Sequence, residues 1–313
     1  MDIHGLPPAE AAALTRRVTT LSVIVAAVLI VVKAFAWQAS GSVALLASLA
    51  DSGLDFVASL VTFFAVRYAA APPDAEHRFG HGKAEAFASL TQAGLVFASA
   101  ALVGQEAIRH LIAPTAVVVD IWSFGVMVLS ILLTSGLMAA QTRALKATGS
   151  VAVSGDRAHY AADLASNLIV IVGIAAVALT GFTRADAVAG LLVAAWLVWG
   201  AIGVFRQASN QLMDHELSEE ARSRIFQLMT ADPRVKGIHQ LRTRASGPYV
   251  HIQLHADLDP TLSLEAAHEV MVAAENRVLE AFPAADIIIH PDPRGRAEPH
   301  GGAFAETGHE AAR

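Results

Sequence analysis

Apolar residues along this chain come in six long runs, broken by short polar stretches. They span Val18–Trp37, Val43–Tyr68, Ala84–Ile112, Val117–Ala140, Val151–Leu179 and Asp186–Phe205. A helix that crosses a bilayer needs about 20 mainly apolar residues, and each run supplies that length. After about Ser209 the pattern becomes that of a soluble protein. "SEEARSRIFQLMTADP" has the spacing of an amphipathic helix, with Ser218 as its N-cap and Pro233 beyond its end. "GIHQLRTRAS" and "PYVHIQLHADLD" alternate as strands do, on either side of a turn at Gly247–Pro248. "SLEAAHEVMVAAENRVLEAF" predicts a second helix capped by Ser263, and "ADIIIH" a last strand. The order helix, strand, strand, helix, strand predicts a small α+β domain with an antiparallel sheet. The expected organisation is a segment 1–17, a six-helix transmembrane domain 18–208, an α+β domain 209–293, and a disordered tail 294–313 rich in Gly, Ala and Glu.

Composition agrees with a membrane protein. Of the residues, 54% are hydrophobic and 16% charged, against about a quarter charged in soluble domains. Residues 1–17 lack the apolar core and cleavage site of a secretory signal. A net charge of −6 offers no basic surface, which sets nucleic-acid binding aside. With no cysteine, disulfides and thiolate metal sites are excluded. Arg16, Arg17, Arg67, Arg78, Lys83, Arg143, Lys146, Arg157 and Arg206 fall on one side of the six spans, and Arg109 and Arg184 on the other. The positive-inside rule then places both termini in the cytoplasm.

Against this background, charged residues inside the spans stand out. A carboxylate at mid-bilayer costs roughly 2.5–3.5 kcal/mol on insertion scales, and the second span carries both Asp51 and Asp55. Four residues apart, they share one helix face, about one turn from each other. The fifth span repeats the arrangement with His159 and Asp163. Counted from the helix starts, both pairs fall near mid-depth, so facing helices would offer three carboxylates and one imidazole. That donor set suits a tetrahedral Zn²⁺ better than Ca²⁺ or Mg²⁺. Basic residues lie mostly at loop depth, with Lys33 the exception. An intramembrane aspartyl protease is the rival from another class, but its acids would sit on two facing helices, and its Gly-x-Gly-Asp motif is missing. Glu106, Arg109 and His110, at i, i+3 and i+4, fit an ion pair or an interface anchor.

Two further groups concentrate metal-binding side chains. In "PPDAEHRFGHGKAE", Asp74, His77 and His81 are spaced so that the loop is either a metal site or a solvated polar turn. In the soluble domain, period two puts His251, Gln253 and His255 on one sheet face and Val250, Ile252 and Leu254 on the other. His239, His268, His290 and Asp292 lie on neighbouring predicted elements, and so dense a set of imidazoles points to metal ligands.

Six spans, Asp-x3-Asp in the second, His-x3-Asp in the fifth, "HRFGHGKAE" and "IIIHPDP" together resemble the cation diffusion facilitator family, and most closely its bacterial zinc and ferrous-iron efflux branch. The likeness runs from about Arg17 to Pro293. It implies a homodimer in a bacterial inner membrane that exchanges cytoplasmic divalent cations, Zn²⁺ first among them, for protons. It is not an enzyme on this reading. Asp51, Asp55, His159 and Asp163 become the transport site, with His159 and Asp51 coupling protons. Asp74, His77 and His81 become a loop site. His239, His255, His268, His290 and Asp292 become a paired-metal site in a metallochaperone-like domain. Lys83 and Asp214 match an interprotomer salt bridge. At Pro291 and His251 the chain departs from the family pattern, and His251 is a further candidate ligand. Export of Fe²⁺, Cd²⁺, Co²⁺ or Mn²⁺, or metal sensing without transport, are the alternatives.

Overall fold

The computed structural model describes residues 6–41, 43–113, 121–180 and 185–295. The expected tail, Val117–Asp120 of the fourth run, and Arg184 among the orienting charges lie largely or wholly outside the described residues. Two compact units divide the described residues: Ala9–Met213, and a second built on residues 214–295.

Among the described residues, six helices make the first unit: α1 (Pro8–Ser40), α2 (Val43–Ala69), α3 (Ala84–Ile112), α4 (Ile121–Thr148), α5 (Val151–Thr180) and α6 (Ala185–Leu212). Over the described residues, all but α5 are long and apolar enough to cross a membrane. The helix α5 is as long as its neighbours, and carries Asp156, Arg157, His159 and Asp163 along its first half. Sidedness is reversed relative to a water-soluble bundle. On α1, Leu21, Ile24, Val28, Val31 and Phe35 form an exposed apolar stripe, while Thr15, Ser22 and Lys33 are buried. In lipid the outer face is satisfied by acyl chains, and polar side chains are driven inward to find partners.

Helix α5 is the hub of the packing. Ala162 meets Val96 and Ala100 of α3 and Leu197 and Ala201 of α6. Tyr160 packs with Val25 and Leu29 of α1 and Leu137 of α4, and Ala152 with Val66 and Ala88. Small residues allow this closeness. At Gly155, a Cβ would stand 3.0 Å from both the Cα and the Oγ of Ser89. The start of α5 is fixed by Ser150, whose hydroxyl accepts from the Val153 N–H at 3.3 Å and donates to the buried Glu85 at 2.5 Å.

The second unit holds α7 (Glu219–Met229), β1 (Val235–Ser246), β2 (Tyr249–Leu258), α8 (Leu264–Ala281) and β3 (Ala285–Pro293). Ser218 and Ser263 cap the two helices, accepting from the N–H groups of Ala221 and Ala266. Ile225, Met229, Ile252, Leu254, Val270, Ala274 and Val278 form the core between helices and sheet. Strand order is β1-β2-β3, and here the expectation needs correcting: β2 pairs antiparallel with β1 but parallel with β3. The physical reason is α8. A tight turn returns the chain antiparallel, whereas a helical crossover brings the next strand back in the same direction. A bulge between His239 and Arg242, with Gln240 at φ 50°, bends β1 at its histidine.

Candidate metal centres

In the helical unit, α2 and α5 bring Asp55, His159 and Asp163 together, with one ligand atom from each lying within 4.8 Å of the others. His159 Nε2 is 3.0 Å from Asp55 Oδ1 and 4.0 Å from Asp163 Oδ2. A tetrahedral Zn²⁺ with bonds of about 2.0–2.2 Å would set its donors about 3.3 Å apart, so this spread suits one ion. Asp55 and His159 are buried and Asp163 half-buried. Asp51 stands a turn away on α2, exposed and outside the group of three. Lys33 donates to Ser48 O at 3.1 Å and Ser52 Oγ at 2.6 Å. Among the described residues, no Lys or Arg forms an ion pair with Asp51, Asp55 or Asp163. Lys33 lies close enough for its charge to act on all three acids, but it spends its hydrogen bonds on Ser48 and Ser52 rather than on a carboxylate.

Between α2 and α3, Asp74, His77 and His81 also converge. The loop folds on Asp74: its Oδ1 accepts from the backbone N–H groups of His77 at 2.6 Å and Glu76 at 2.9 Å. Those bonds, the His77 one foremost, hold the Asp74 carboxyl below the usual carboxylate range. The two oxygens then divide, Oδ1 3.4 Å from His77 Nδ1 and Oδ2 3.3 Å from His81 Nε2. Gly80, at φ 77°, turns the chain in the left-handed region that glycine adopts without strain. His81 is buried against Tyr68, ring centroids 4.5 Å apart.

In the second unit, strand register lines up three histidines: His239 opposite His255 and His255 opposite His290. Asp292, buried at the end of β3, gathers them. Its Oδ2 is 2.8 Å from His255 Nδ1 and 3.3 Å from His239 Nε2, and its Oδ1 is 3.1 Å from His290 Nδ1. A carboxylate with donors gathered at each oxygen can bridge two ions. Asp257, which the sequence reading missed, sits with Oδ1 3.7 Å from His239; its place opposite Gly237, two residues before that histidine, comes from the strand register and is not visible in local spacing. His268 is exposed on α8 and outside the group. His251 is also outside, buried with Nδ1 3.2 Å from Asp286 Oδ2. Asp214, at φ 54°, accepts from Arg244 at 3.2 Å, and Lys83 Nζ donates to Leu212 O at 3.3 Å. Glu106 meets Arg109 at 3.8 Å and His110 at 3.2 Å, as the i, i+3, i+4 spacing predicts.

A multi-pass helical domain with acids and an imidazole gathered inside it, followed by a small α/β domain rich in ligands, defines a membrane protein equipped to hold metal cations. Known proteins agree with that class. Residues 19–213 match the family description "Cation efflux transmembrane domain", and 217–294 match "Cation efflux protein, cytoplasmic domain". A "Cation-efflux pump FieF" of Cronobacter sakazakii is 38% identical over 280 residues, covering 90% of this chain and 93% of that protein. One of Shewanella oneidensis is 41% identical over 272 residues, covering 87% and 92%. The chain belongs to the cation diffusion facilitator family.

Proposed function

We propose that this protein is a homodimeric antiporter that moves Zn²⁺ out of the cytoplasm of a bacterium, across its inner membrane, in exchange for protons. The observation that carries this is the meeting of Asp55, His159 and Asp163 inside the membrane helices, with no Lys or Arg in ion-pair contact among the described residues. Such a group is stable when a dication or protons neutralise it, and the two compete for the same lone pairs. With the site open inward, deprotonated ligands take the ion, and Asp51 joins from the next turn of α2. Rearrangement of the helices exposes the site outward, and protons arriving on His159 and Asp51 release the ion.

The cytoplasmic sites have separate parts. Asp74, His77 and His81 sit on the loop joining α2 to α3 and hold a cytoplasmic ion there. Asp292 with His239, His255 and His290 holds a pair of ions in the soluble unit, with His268 completing the site. Metal there stabilises the contact between protomers, which Lys83 and Asp214 reinforce across the dimer. The match of residues 217–294 to the family's cytoplasmic domain supports this division.

Fe²⁺, Cd²⁺, Co²⁺ and Mn²⁺ use the same carboxylate and imidazole donors, and geometry rather than raw affinity separates them. The transporting relatives favour export over sensing. Zinc uptake into sealed proteoliposomes under an imposed pH gradient tests the reading. Gradient-driven flux is expected from the parent and none above background from Asp55→Ala. Equal flux in both would leave the two aspartates a structural role and remove the proposal.

A further inference from the structure

One buried carboxylate is left over. Asp156 lies one turn before His159 on α5 and is 1% exposed. Among the described residues, no Lys or Arg forms an ion pair with it. Three neutral side chains from three helices reach it. Ser22 of α1 is 2.7 Å from Oδ2, Gln141 Nε2 of α4 is 2.8 Å from Oδ2, and Gln92 Nε2 of α3 is 3.4 Å from Oδ1. The titratable groups around it are His159 and Tyr160 on its own helix, and Asp55 of α2 beyond His159. Among the described residues, the side chains of α1, α3 and α4 that hydrogen-bond to it are Ser22, Gln92 and Gln141, none of them titratable.

The hydrogen bonds are compatible with either protonation state, without moving a heavy atom. Ser22 Oγ has one proton and two acceptors for it, Asp156 Oδ2 at 2.7 Å and Val18 O at 3.2 Å. When Asp156 is ionised, the Ser22 hydroxyl donates to it. When Asp156 carries a proton, its O–H donates to Ser22 Oγ, and the serine turns its own proton to Val18 O. Gln141 Nε2 donates to both Asp156 and Ser22, at 2.8 and 3.2 Å, and holds the pair in either state. A carboxyl buried this deeply is poorly stabilised as an anion unless a positive charge is near, and the charges that can reach it are a protonated His159 one turn on and an ion held by the group that His159 belongs to.

We propose that Asp156 is a proton-binding carboxylate of the transport cycle that never ligates the metal. It holds a proton while the Asp55–His159–Asp163 group is metal-free, and loses it when a dication occupies that group. On metal arrival the Asp156 O–H bond breaks, the electron pair stays on Oδ2, and the proton leaves to water. On metal release a proton returns. The site thereby couples one proton more than its ligands alone account for. This inference rests on the antiport reading above.

The test is the number of protons released per zinc bound by the full-length protein in detergent. It is measured by calorimetry in buffers of different ionisation enthalpy at one pH. Asp156→Asn keeps the size of the side chain and cannot ionise. Zinc stoichiometry should be unchanged, with release about one proton lower per membrane-site ion. A residue that only positions helices would change zinc affinity or melting temperature and leave the proton count alone, so equal release in the two proteins overturns the proposal. If Asp156→Asn does not fold, Ser22→Ala serves instead. It removes a donor to the anion, and proton release as a function of pH should shift upward; an unmoved profile overturns the proposal equally. A parent whose zinc flux ignores the pH gradient would sink antiport itself. Gradient-driven flux together with an unchanged proton count in Asp156→Asn would sink only this assignment.

Discussion

Arg234 folds back over Asp232, its Nη2 2.7 Å from Oδ2, while the Arg234 backbone N–H lies 2.9 Å from Oδ1. The guanidinium first, and then that N–H, hold the Asp232 carboxyl down at about 2. A folded-state value below the unfolded value of about 3.9 means the pair stabilises the fold fully above that unfolded value. The contribution disappears as pH falls through about 2. The pair borders water, so the effect is modest. Asp232→Asn should melt roughly 2 °C below the parent near neutral pH, with the gap closing between about pH 4 and pH 2, as followed by the circular dichroism of the soluble unit. A gap that stayed constant on acidification would mean the asparagine disturbs the turn by its shape. At this scale, the sequence exposes a side chain's type and local spacing, and little of its surroundings. Asp51, Asp55, His159 and Asp163 were legible because a carboxylate in an apolar run has no ordinary explanation. Asp156 sits in the same helix and escaped, because its partners Ser22, Gln92 and Gln141 come from three other helices.

Among the helices, two glycines separate packing from propensity. On α3, a Cβ at Gly94 would meet nothing within 4 Å; on α5, one at Gly155 would press on Ser89 and Gln92 at 3.0–3.1 Å. Alanine is the better helix former by about 0.8–1.0 kcal/mol, so Gly94→Ala should stabilise or leave stability unchanged. At Gly155 the same change meets backbone, which cannot swing aside. Overpacking of this kind costs about 1–3 kcal/mol. Gly155→Ala should therefore melt lower than Gly94→Ala and lose zinc flux, because α5 carries His159 and Asp163 and would be pushed off α3. Detergent melting curves and proteoliposome flux for the two variants decide it. Equal behaviour would mean that the α3–α5 contact yields easily. Apolar run length placed the helices in the sequence within a few residues at α2, α3 and α5, but α1 and α6 extend well past their apolar runs. Outside the hydrocarbon a helix continues with polar residues, so hydropathy alone cannot mark its end. The direction of β3 was equally hidden, since strand alternation is the same in either direction and only the α8 crossover sets it.

For the whole molecule, the question is what the second unit adds to the transport site proposed in the helices. Its core of Ile225, Met229, Ile252, Val270 and Val278 packs a three-stranded sheet against two helices, away from the candidate ligands. The ligands instead cluster at one end of the sheet, where Asp292 is buried beneath His255 and His239 while His290 is exposed. Without metal, three imidazoles crowd one carboxylate; with two dications, each of its oxygens would serve one of them. Binding that occurs only in the folded, assembled state raises stability by mass action. Zinc should therefore raise the melting temperature of the full-length protein and shift its population toward the dimer. Asp292→Ala should abolish the soluble-unit part of both effects while leaving zinc binding by Asp55, His159 and Asp163 intact. Sedimentation velocity and melting with and without zinc, for Asp292→Ala and Asp55→Ala in parallel, separate the two sites. Loss of the zinc-dependent dimer in Asp292→Ala, with its retention in Asp55→Ala, would assign assembly to the soluble unit. The reverse pattern would place the dimer contact under the control of the membrane site, and the paired-ion site would then have no part in holding the protomers together.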